Sequence, residues 1–276
     1  MAIAILFAFQ NIVFLLTIYN KYGIIYLYFD FSKRSILHYG RTGMRLDKLL
    51  SECGIASRKE SARAAKAGQI TVNGLPVTKA DMQVNPTTDI ITFCGRAVKW
   101  REFIYVMLNK PDGYVSATED ARGEQVVTSL LPEEYQKMGL FPCGRLDKHT
   151  LGLMLLTNDG QLSHRLLSPK RHVAKTYAFR VKFPLSEADI SALETGVDIG
   201  GYLTKPCTVK LNEEREGHIT LTEGKYHQIK LMMEAVHNQI TYLERITFGP
   251  LSLDPALSRG EWRELTEAEI IALNQS

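Results

Sequence analysis

The chain has 276 residues, 45% apolar and 23% charged, enough to bury a real core and too apolar for an intrinsically disordered polymer. Its net charge of +3 is unevenly spread: residues 44–100 hold nine Lys or Arg against five Asp or Glu, and residues 101–276 hold twenty against twenty-four. The small front region is therefore the basic one, and basic charge concentrated in one region points to a polyanionic partner.

In chain order, residues 1–43 come first and read as an apolar extension. Met1 to Tyr19 carry no charge and Ile24 to Phe29 are again wholly apolar or aromatic. A transmembrane helix needs about 20 mainly apolar residues, which this run nearly supplies. A signal peptide lacks its basic start and its small-residue cleavage site here. The reading preferred is an untranslated leader included by a wrong start-codon choice, because Met44-Arg45-Leu46-Asp47-Lys48-Leu49-Leu50 opens a complete domain.

From Met44, Leu46, Leu49, Leu50 and Cys53 fall at helical spacing and Gly54 stops the helix. Ser57-Arg58-Lys59-Glu60 is a capping box, predicting a second helix that carries Arg58, Lys59, Arg63 and Lys66 and closes at Gly68. Ile70-Thr71-Val72, the Asn73-Gly74 turn and Asp89 to Phe93 then predict a small sheet. Two helices plus a small sheet over residues 44–100 resemble the RNA-binding domain of the ribosomal-protein S-four type. That resemblance makes Arg58, Lys59, Arg63 and Lys66 phosphate-gripping residues, which position a protein on RNA without reading its sequence.

A short linker around Val98 to Arg101 leads into residues 101–276, where a buried strand, Phe103 to Leu108, runs into Lys110-Pro111-Asp112-Gly113. Further strands are predicted at Leu153 to Leu156, Lys175 to Phe183, Cys207 to Leu211 and His218 to Thr222. Helices are predicted at Gln161 to Leu167, Glu187 to Gly196, His227 to Val236 and Glu267 to Leu273. Neighbouring strands without an intervening helix argue for α+β over a doubly wound parallel sheet. Between Asp159 and Glu187 lie Arg165, Lys170, Arg171, Lys175, Arg180 and Lys182 with no acidic residue among them, a candidate phosphate-facing strip.

The most informative segment is Gly144-Arg145-Leu146-Asp147-Lys148-His149-Thr150-Leu151-Gly152, a carboxylate in a tight polar stretch that enters an apolar run. With Lys110-Pro111-Asp112-Gly113, Lys175-Thr176-Tyr177 and Glu223-Gly224-Lys225-Tyr226-His227-Gln228-Ile229-Lys230, in that order, it resembles the RNA pseudouridine synthases. The two-domain plan and the long Ser168 to Tyr177 segment resemble most the RsuA-type family acting on small-subunit (16S) ribosomal RNA. Phe248 to Leu253 and Gly260 to Thr266 match the closing strands of that family, so the resemblance runs from about Met44 to the carboxyl end.

The resemblance implies a mixed, mostly antiparallel sheet with a cleft on one face, and a reaction that converts uridine to pseudouridine. It makes Asp147 the nucleophile, Tyr177 the ring that stacks on the base and moves a proton, and Lys230 the cation paired with the aspartate. Arg145 would help turn out the target nucleotide, Lys110 and Gly113 would shape the cleft floor, and Lys110 and Lys175 are carried as further substrate contacts. Many relatives have a second basic residue after the position of Lys230; here it is Leu231, so a second basic contact there is not expected. An ionised carboxylate in a dry cleft needs a fixed positive partner, which is the physical case for the Lys230 pairing.

The isomerisation conserves atoms and oxidation level, so no cofactor or metal is expected. The sequence has no phosphate-binding glycine loop, dinucleotide fingerprint or His-Glu-x-x-His zinc site. Cys53, Cys94, Cys143 and Cys207 lie far apart without zinc spacing, which suits a reduced cytoplasmic protein; Cys143 is expected to be a partly buried packing residue. The expected partner is ribosomal RNA, with no membrane contact and no need for more than a monomer.

Overall fold

The computed structural model describes residues 3–7, 13–20, 23–30, 35–39, 43–168, 171 and 173–276. The chain divides into two compact units, residues 1–101 and 102–276. In the first unit, the strands Ile3–Phe7, Val13–Asn20, Gly23–Asp30 and Ser35–Tyr39 pair in antiparallel order. The described part of the apolar extension therefore forms strands. A helix, the alternative weighed for a membrane span, is not what these residues adopt; uncharged apolar runs do not distinguish the two by pattern. The remaining residues of 1–43 lie outside those described, as do Pro169, Lys170 and His172 of the basic strip. Among the described residues no helix is long and apolar enough to cross a membrane.

Helices α1 (Leu46–Glu52) and α2 (Arg58–Lys66) follow. The capping box at Ser57 forms as expected, with the Glu60 N–H bonded to Ser57 Oγ and the Glu60 carboxylate accepting from the Ser57 N–H, worth about 1 kcal/mol to the helix start. Leu46, Leu49, Leu50, Ala64, Ala65, Ile70 and Ile91 make one core. A four-stranded sheet carries Ile70–Val72 at its centre, paired with Ile91–Phe93 and with the strand Leu75–Pro76 that returns from the Asn73-Gly74 turn.

The second unit is built on a nine-stranded sheet. Its main path runs Thr208–Glu213, Glu216–Leu221, Lys175–Val181, Ile240–Phe248, Leu151–Thr157, Tyr105–Lys110, Trp262–Glu264. Pairing along it is antiparallel except between Leu151–Thr157 and Ile240–Phe248, which run parallel. The two central strands Tyr105–Lys110 and Leu151–Thr157 are buried on both faces, which is why they read as unbroken apolar runs. On one face Tyr105, Met107, Leu153 and Leu155 pack with α4 (Gly160–Leu167) and α7 (Glu267–Gln275) through Leu162, Leu166 and Leu273. On the other, Val106, Leu108, Met154 and Leu156 pack with Val127, Leu131, Leu140 and Leu146, around the short α3 (Glu133–Lys137). A third core joins Phe179, Val181 and Leu243 to α5 (Glu187–Thr195) and α6 (Gln228–Ala235). The helices and strands predicted from spacing are found, with ends shifted by no more than two residues, whereas Phe248 to Leu253, matched to a closing strand, is the end of Ile240–Phe248, a turn and the short strand Leu251–Ser252.

Gly152 makes the parallel pairing possible. It stands opposite Arg245 with φ +95°, and a Cβ there would fall on the Arg245 carbonyl oxygen. Only glycine permits both the backbone angle and the close approach.

Candidate active site

The loop of residues 144–150 feeds directly into the central strand Leu151–Thr157, and its backbone is fixed from several sides. Leu146 is buried in the second core; its N–H donates to Ser116 Oγ (3.0 Å), and that hydroxyl donates to the Leu146 carbonyl (2.7 Å). The Lys148 carbonyl accepts from Lys110 Nζ (3.0 Å) and from the Gly113 N–H (3.1 Å). Gly113, at φ +83°, supplies the left-handed turn that aims this N–H. The Thr150 N–H closes a turn onto the Asp147 carbonyl (3.0 Å), Lys148 is ion-paired with Glu124 (3.0 Å), and His149 Nδ1 is hydrogen-bonded to Asp112 Oδ1 (2.9 Å).

Lys110 lies under this loop with no exposed surface. Its ammonium donates to the carbonyls of Pro111 (3.1 Å), Lys148 (3.0 Å) and Thr150 (2.9 Å), using all three of its protons. Burial pushes the group down to about 8. The floor-shaping expectation fits this geometry. The substrate contact also expected of Lys110 does not, because a fully enclosed and saturated ammonium has nothing left to offer RNA.

The Asp147 side chain points the other way, into a cleft of about 760 Å³. Its Oδ2 is 2.8 Å from Lys230 Nζ, both side chains being about a quarter exposed. Lys230 sits in the first turn of α6, whose opposite face is anchored by buried Ile229, Met232 and Met233. His227, the residue before that helix, puts Nε2 at 3.6 Å from Asp147 Oδ1. It holds a left-handed φ of +49°, a strained geometry for a residue with a side chain. The segment is braced by Glu223, whose carboxylate accepts from the Tyr202 hydroxyl (2.7 Å), the Lys205 N–H (2.9 Å) and Gln228 Nε2 (2.6 Å). Burial works against ionisation of Glu223, but these bonds prevail and hold it below the usual carboxylate range.

Tyr177 lines the same cleft from the Lys175–Val181 strand, and its hydroxyl makes no hydrogen bond among the described residues. Arg145 is exposed at the rim, with neither hydrogen bond nor ion pair among the described residues, so a structural salt bridge does not account for it. Lys175 lines the cleft half-buried, its ammonium bonded to the Val173 carbonyl (3.1 Å) and lowered first by burial and then by neighbouring Arg245. The structure thus brings Asp147, Tyr177, Arg145 and Lys175 to one cleft, with Lys230 paired to Asp147.

The other expected contacts lie in the first unit. Arg58, Lys59, Arg63 and Lys66 are exposed on α2 while Ser61, Ala64 and Ala65 face inward, the arrangement of a cationic surface strip. Cys143 is fully buried where partial burial was expected, and burial raises its thiol, so it is unreactive. Among the described residues no cluster of His, Cys, Asp or Glu could hold a metal.

Sequence reasoning passed over Ser116, Glu223, Tyr226, His227 and Arg245. Three of them stand inside the Glu223 to Lys230 segment already singled out. Tyr226 is 73% exposed and stacks on His227, with ring centroids 3.9 Å apart and planes at 17°. Arg245 could have been noticed as a charge two residues after Leu243 on the inward side of a strand.

A mixed sheet with an aspartate–lysine pair, a tyrosine and an unpaired arginine around one cleft, preceded by a small basic unit, defines a class that comparison with known proteins identifies. The family model for RNA pseudouridylate synthase matches residues 104–235 and that for the S4 domain matches residues 44–90. The chain is 53% identical over 237 residues to an uncharacterized RNA pseudouridine synthase, YtzG, of Bacillus subtilis, covering 84% of this chain and 99% of that one. It is 36% identical over 232 residues to the ribosomal small subunit pseudouridine synthase A of Escherichia coli K12, covering 83% and 100%. A crystal structure of a pseudouridylate synthase superposes with a TM-score of 0.59 at 35% identity, over 83% of this chain and 99% of that one. The chain belongs to the RNA pseudouridine synthases, in the family of the ribosomal small subunit pseudouridine synthase A proteins.

Proposed function

We propose that this enzyme isomerises one uridine of small-subunit (16S) ribosomal RNA to pseudouridine, with Asp147 as the catalytic nucleophile. The observation that carries the catalytic assignment is the 2.8 Å contact of Lys230 with Asp147, a residue that lines the cleft. Lys230 supplies the counter-charge that a carboxylate requires when RNA covers the cleft and removes water. The substrate assignment is supported by relatives at 36–38% identity that are named for the ribosomal small subunit.

The target uridine leaves the RNA stack, at a cost of a few kcal/mol. Arg145, exposed at the rim and without a partner among the described residues, fills the gap or grips the phosphate of the displaced nucleotide. The base enters the cleft against Tyr177, whose ring stacks on it and whose hydroxyl can carry a proton during the rearrangement. The N1–C1′ bond breaks, the base turns, and C5 bonds C1′. Asp147 supplies the negative charge that the electron-poor centre needs. Because Ser116, Lys110 and Gly113 fix the backbone on both sides of Asp147, the carboxylate is placed before substrate arrives.

In this reading residues 44–100 form the RNA-binding domain and residues 101–276 the catalytic domain. The cations of α2 hold the ribosomal RNA by its phosphates, and the enzyme acts as a monomer in the cytoplasm without cofactor. The test is to incubate the protein with small-subunit RNA, large-subunit RNA and assembly intermediates of each, then map pseudouridine by carbodiimide-dependent reverse-transcription stops. One new stop in small-subunit RNA is the expected result. A stop in large-subunit RNA alone would move the substrate, and no stop on any RNA would remove the reading.

A further inference from the structure

Among the described residues Arg245 is the largest fully buried side chain, 2% exposed, yet it forms no ion pair with any of them. Its Nε donates to the Leu153 carbonyl (2.8 Å), Nη2 lies 3.9 Å from Met154 Sδ, and the guanidinium sits 5.0 Å from the centre of the Phe248 ring. These contacts fix the plane of the group without neutralising it. Nη1 has no acceptor among the described residues, is not among the enclosed polar atoms, and belongs to a residue that lines the cleft. A second cation, Lys175, shares the Phe248 ring at 5.7 Å, and its electrostatic neighbours are Arg245 and the Cys143 thiol, with no carboxylate.

A buried cation costs several kcal/mol unless an anion meets it. Among the described residues no carboxylate does, so the negative charge is left to what enters the cleft. Two places in the substrate carry such charge: the phosphates, and the uracil ring once its glycosidic bond breaks. The phosphodiester chain is continuous and stays at the rim with exposed Arg145, whereas only a turned-out base reaches a group with 2% exposure. Arg245 stands directly across the sheet from Tyr177 in the strand register, beside the ring expected to stack on that base.

We infer that Arg245 is a further catalytic residue, whose free Nη1–H donates to a carbonyl oxygen of the detached uracil, with the Lys175 ammonium reinforcing the same positive field. This rests on the proposed Asp147 reaction. When N1–C1′ breaks, the electron pair stays on the base and spreads from N1 onto O2 and O4. Arg245 stabilises that anion by hydrogen bonding and gives up no proton. The pair is returned when C5 bonds C1′, C5 loses its proton, and N1 gains one, so atoms and electrons balance. A guanidinium only donates, so if the contacted oxygen is O4 the same hydrogen bond disfavours the N4 amino group of cytosine and makes Arg245 a determinant of base identity as well.

The experiment pairs enzyme variants with atomic substitution in the substrate. Small-subunit RNA is ligated from synthetic segments carrying uridine, 2-thiouridine or 4-thiouridine at the mapped target. Single-turnover rates are then measured for the wild type, Arg245→Met and Arg245→Lys. Losing one preorganised donor to a developing oxyanion slows a reaction by about 10²–10³-fold, the loss expected for Arg245→Met. In the wild type, sulfur at the contacted oxygen is expected to slow the reaction by about 10-fold or more, sulfur being a poor acceptor. In Arg245→Met that same sulfur penalty is expected to vanish, because the donor it weakens is gone. Equal sulfur penalties in the wild type and the variant would give Arg245 a structural role only, overturning the inference. If Arg245→Met does not fold by circular dichroism, Arg245→Lys and the wild type decide it: a wild type indifferent to sulfur at both positions overturns the inference on its own. A wild type inactive even on the uridine substrate would instead remove the reaction on which the inference rests.

Discussion

The two units carry their positive charge in opposite ways. In the front unit, Arg58, Lys59, Arg63 and Lys66 stand exposed along one face of a helix whose other face is packed with Ala64 and Ala65. In the second unit, Lys110 and Arg245 have almost no exposed surface, and Lys230 is about a quarter exposed against Asp147. Exposed cations act through long-range, salt-screened attraction and are interchangeable. Buried cations act through particular hydrogen bonds, and each is irreplaceable at its position. The front unit is thus built for affinity and the second for geometry, and substitutions should separate the two.

The largest effect is expected from Lys230→Met. Without its counter-ion the Asp147 carboxylate loses the partner that keeps it charged in a dry cleft, and kcat should fall by about 10²–10⁴-fold while RNA affinity changes little. Single-turnover rates and filter binding measured together check both halves; a matched loss of affinity would blur the contrast between the units.

Lys110→Met should come next, and it should act through stability. Removing the ammonium takes a donor from the carbonyls of Pro111 and Thr150 and leaves that of Lys148 with the Gly113 N–H alone, at a cost of about 3 kcal/mol. A fall in Tm of roughly 6–12 °C by calorimetry would follow at 2–4 °C per kcal/mol for a unit of this size. An unchanged Tm would mean that the loop does not depend on the buried lysine.

Replacing Arg58, Lys59, Arg63 and Lys66 together by Ala should leave kcat at saturating RNA within about twofold. It should also flatten the dependence of log affinity on log salt, by roughly 0.7–0.9 for each phosphate that is no longer neutralised. Titrations at several salt concentrations read this directly, and an unchanged slope would take α2 out of RNA binding.

The smallest effect concerns pH. The Arg263 guanidinium binds Glu269 through two hydrogen bonds of 2.8 Å and holds the carboxyl at about 2, well below its ordinary 4.5. A depressed carboxyl contributes its stability above the unfolded value and sheds it as pH falls through the folded one. The wild type should therefore lose on the order of 2 kcal/mol between about pH 4.5 and about 2 that Glu269→Gln does not lose, measured by urea unfolding across that range.

The same contrast explains what the sequence made legible. The capping box at Ser57, the basic face of α2, and the motif residues Asp147, Tyr177 and Lys230 are local patterns, each contained in a few consecutive residues. The doubly buried central strands announce themselves as apolar runs. The enclosure of Lys110 was not legible, because the carbonyls that saturate it come mainly from residues 38 and 40 positions away. Arg245 was hidden for the same reason: its depth depends on Gly152 allowing two strands to meet in parallel. The apolar residues near the amino terminus were ambiguous for a different reason, since an uninterrupted apolar run suits a strand as well as a helix.

The most direct test of the central claim is the single-turnover rate of Asp147→Asn on mapped small-subunit RNA, with RNA affinity measured on the same preparation. The substitution keeps size and removes charge. Unchanged affinity with pseudouridine formation reduced by about 10⁴-fold or more is the expected result; a variant that forms pseudouridine within about tenfold of the wild-type rate would show that Asp147 is not the residue on which the reaction depends.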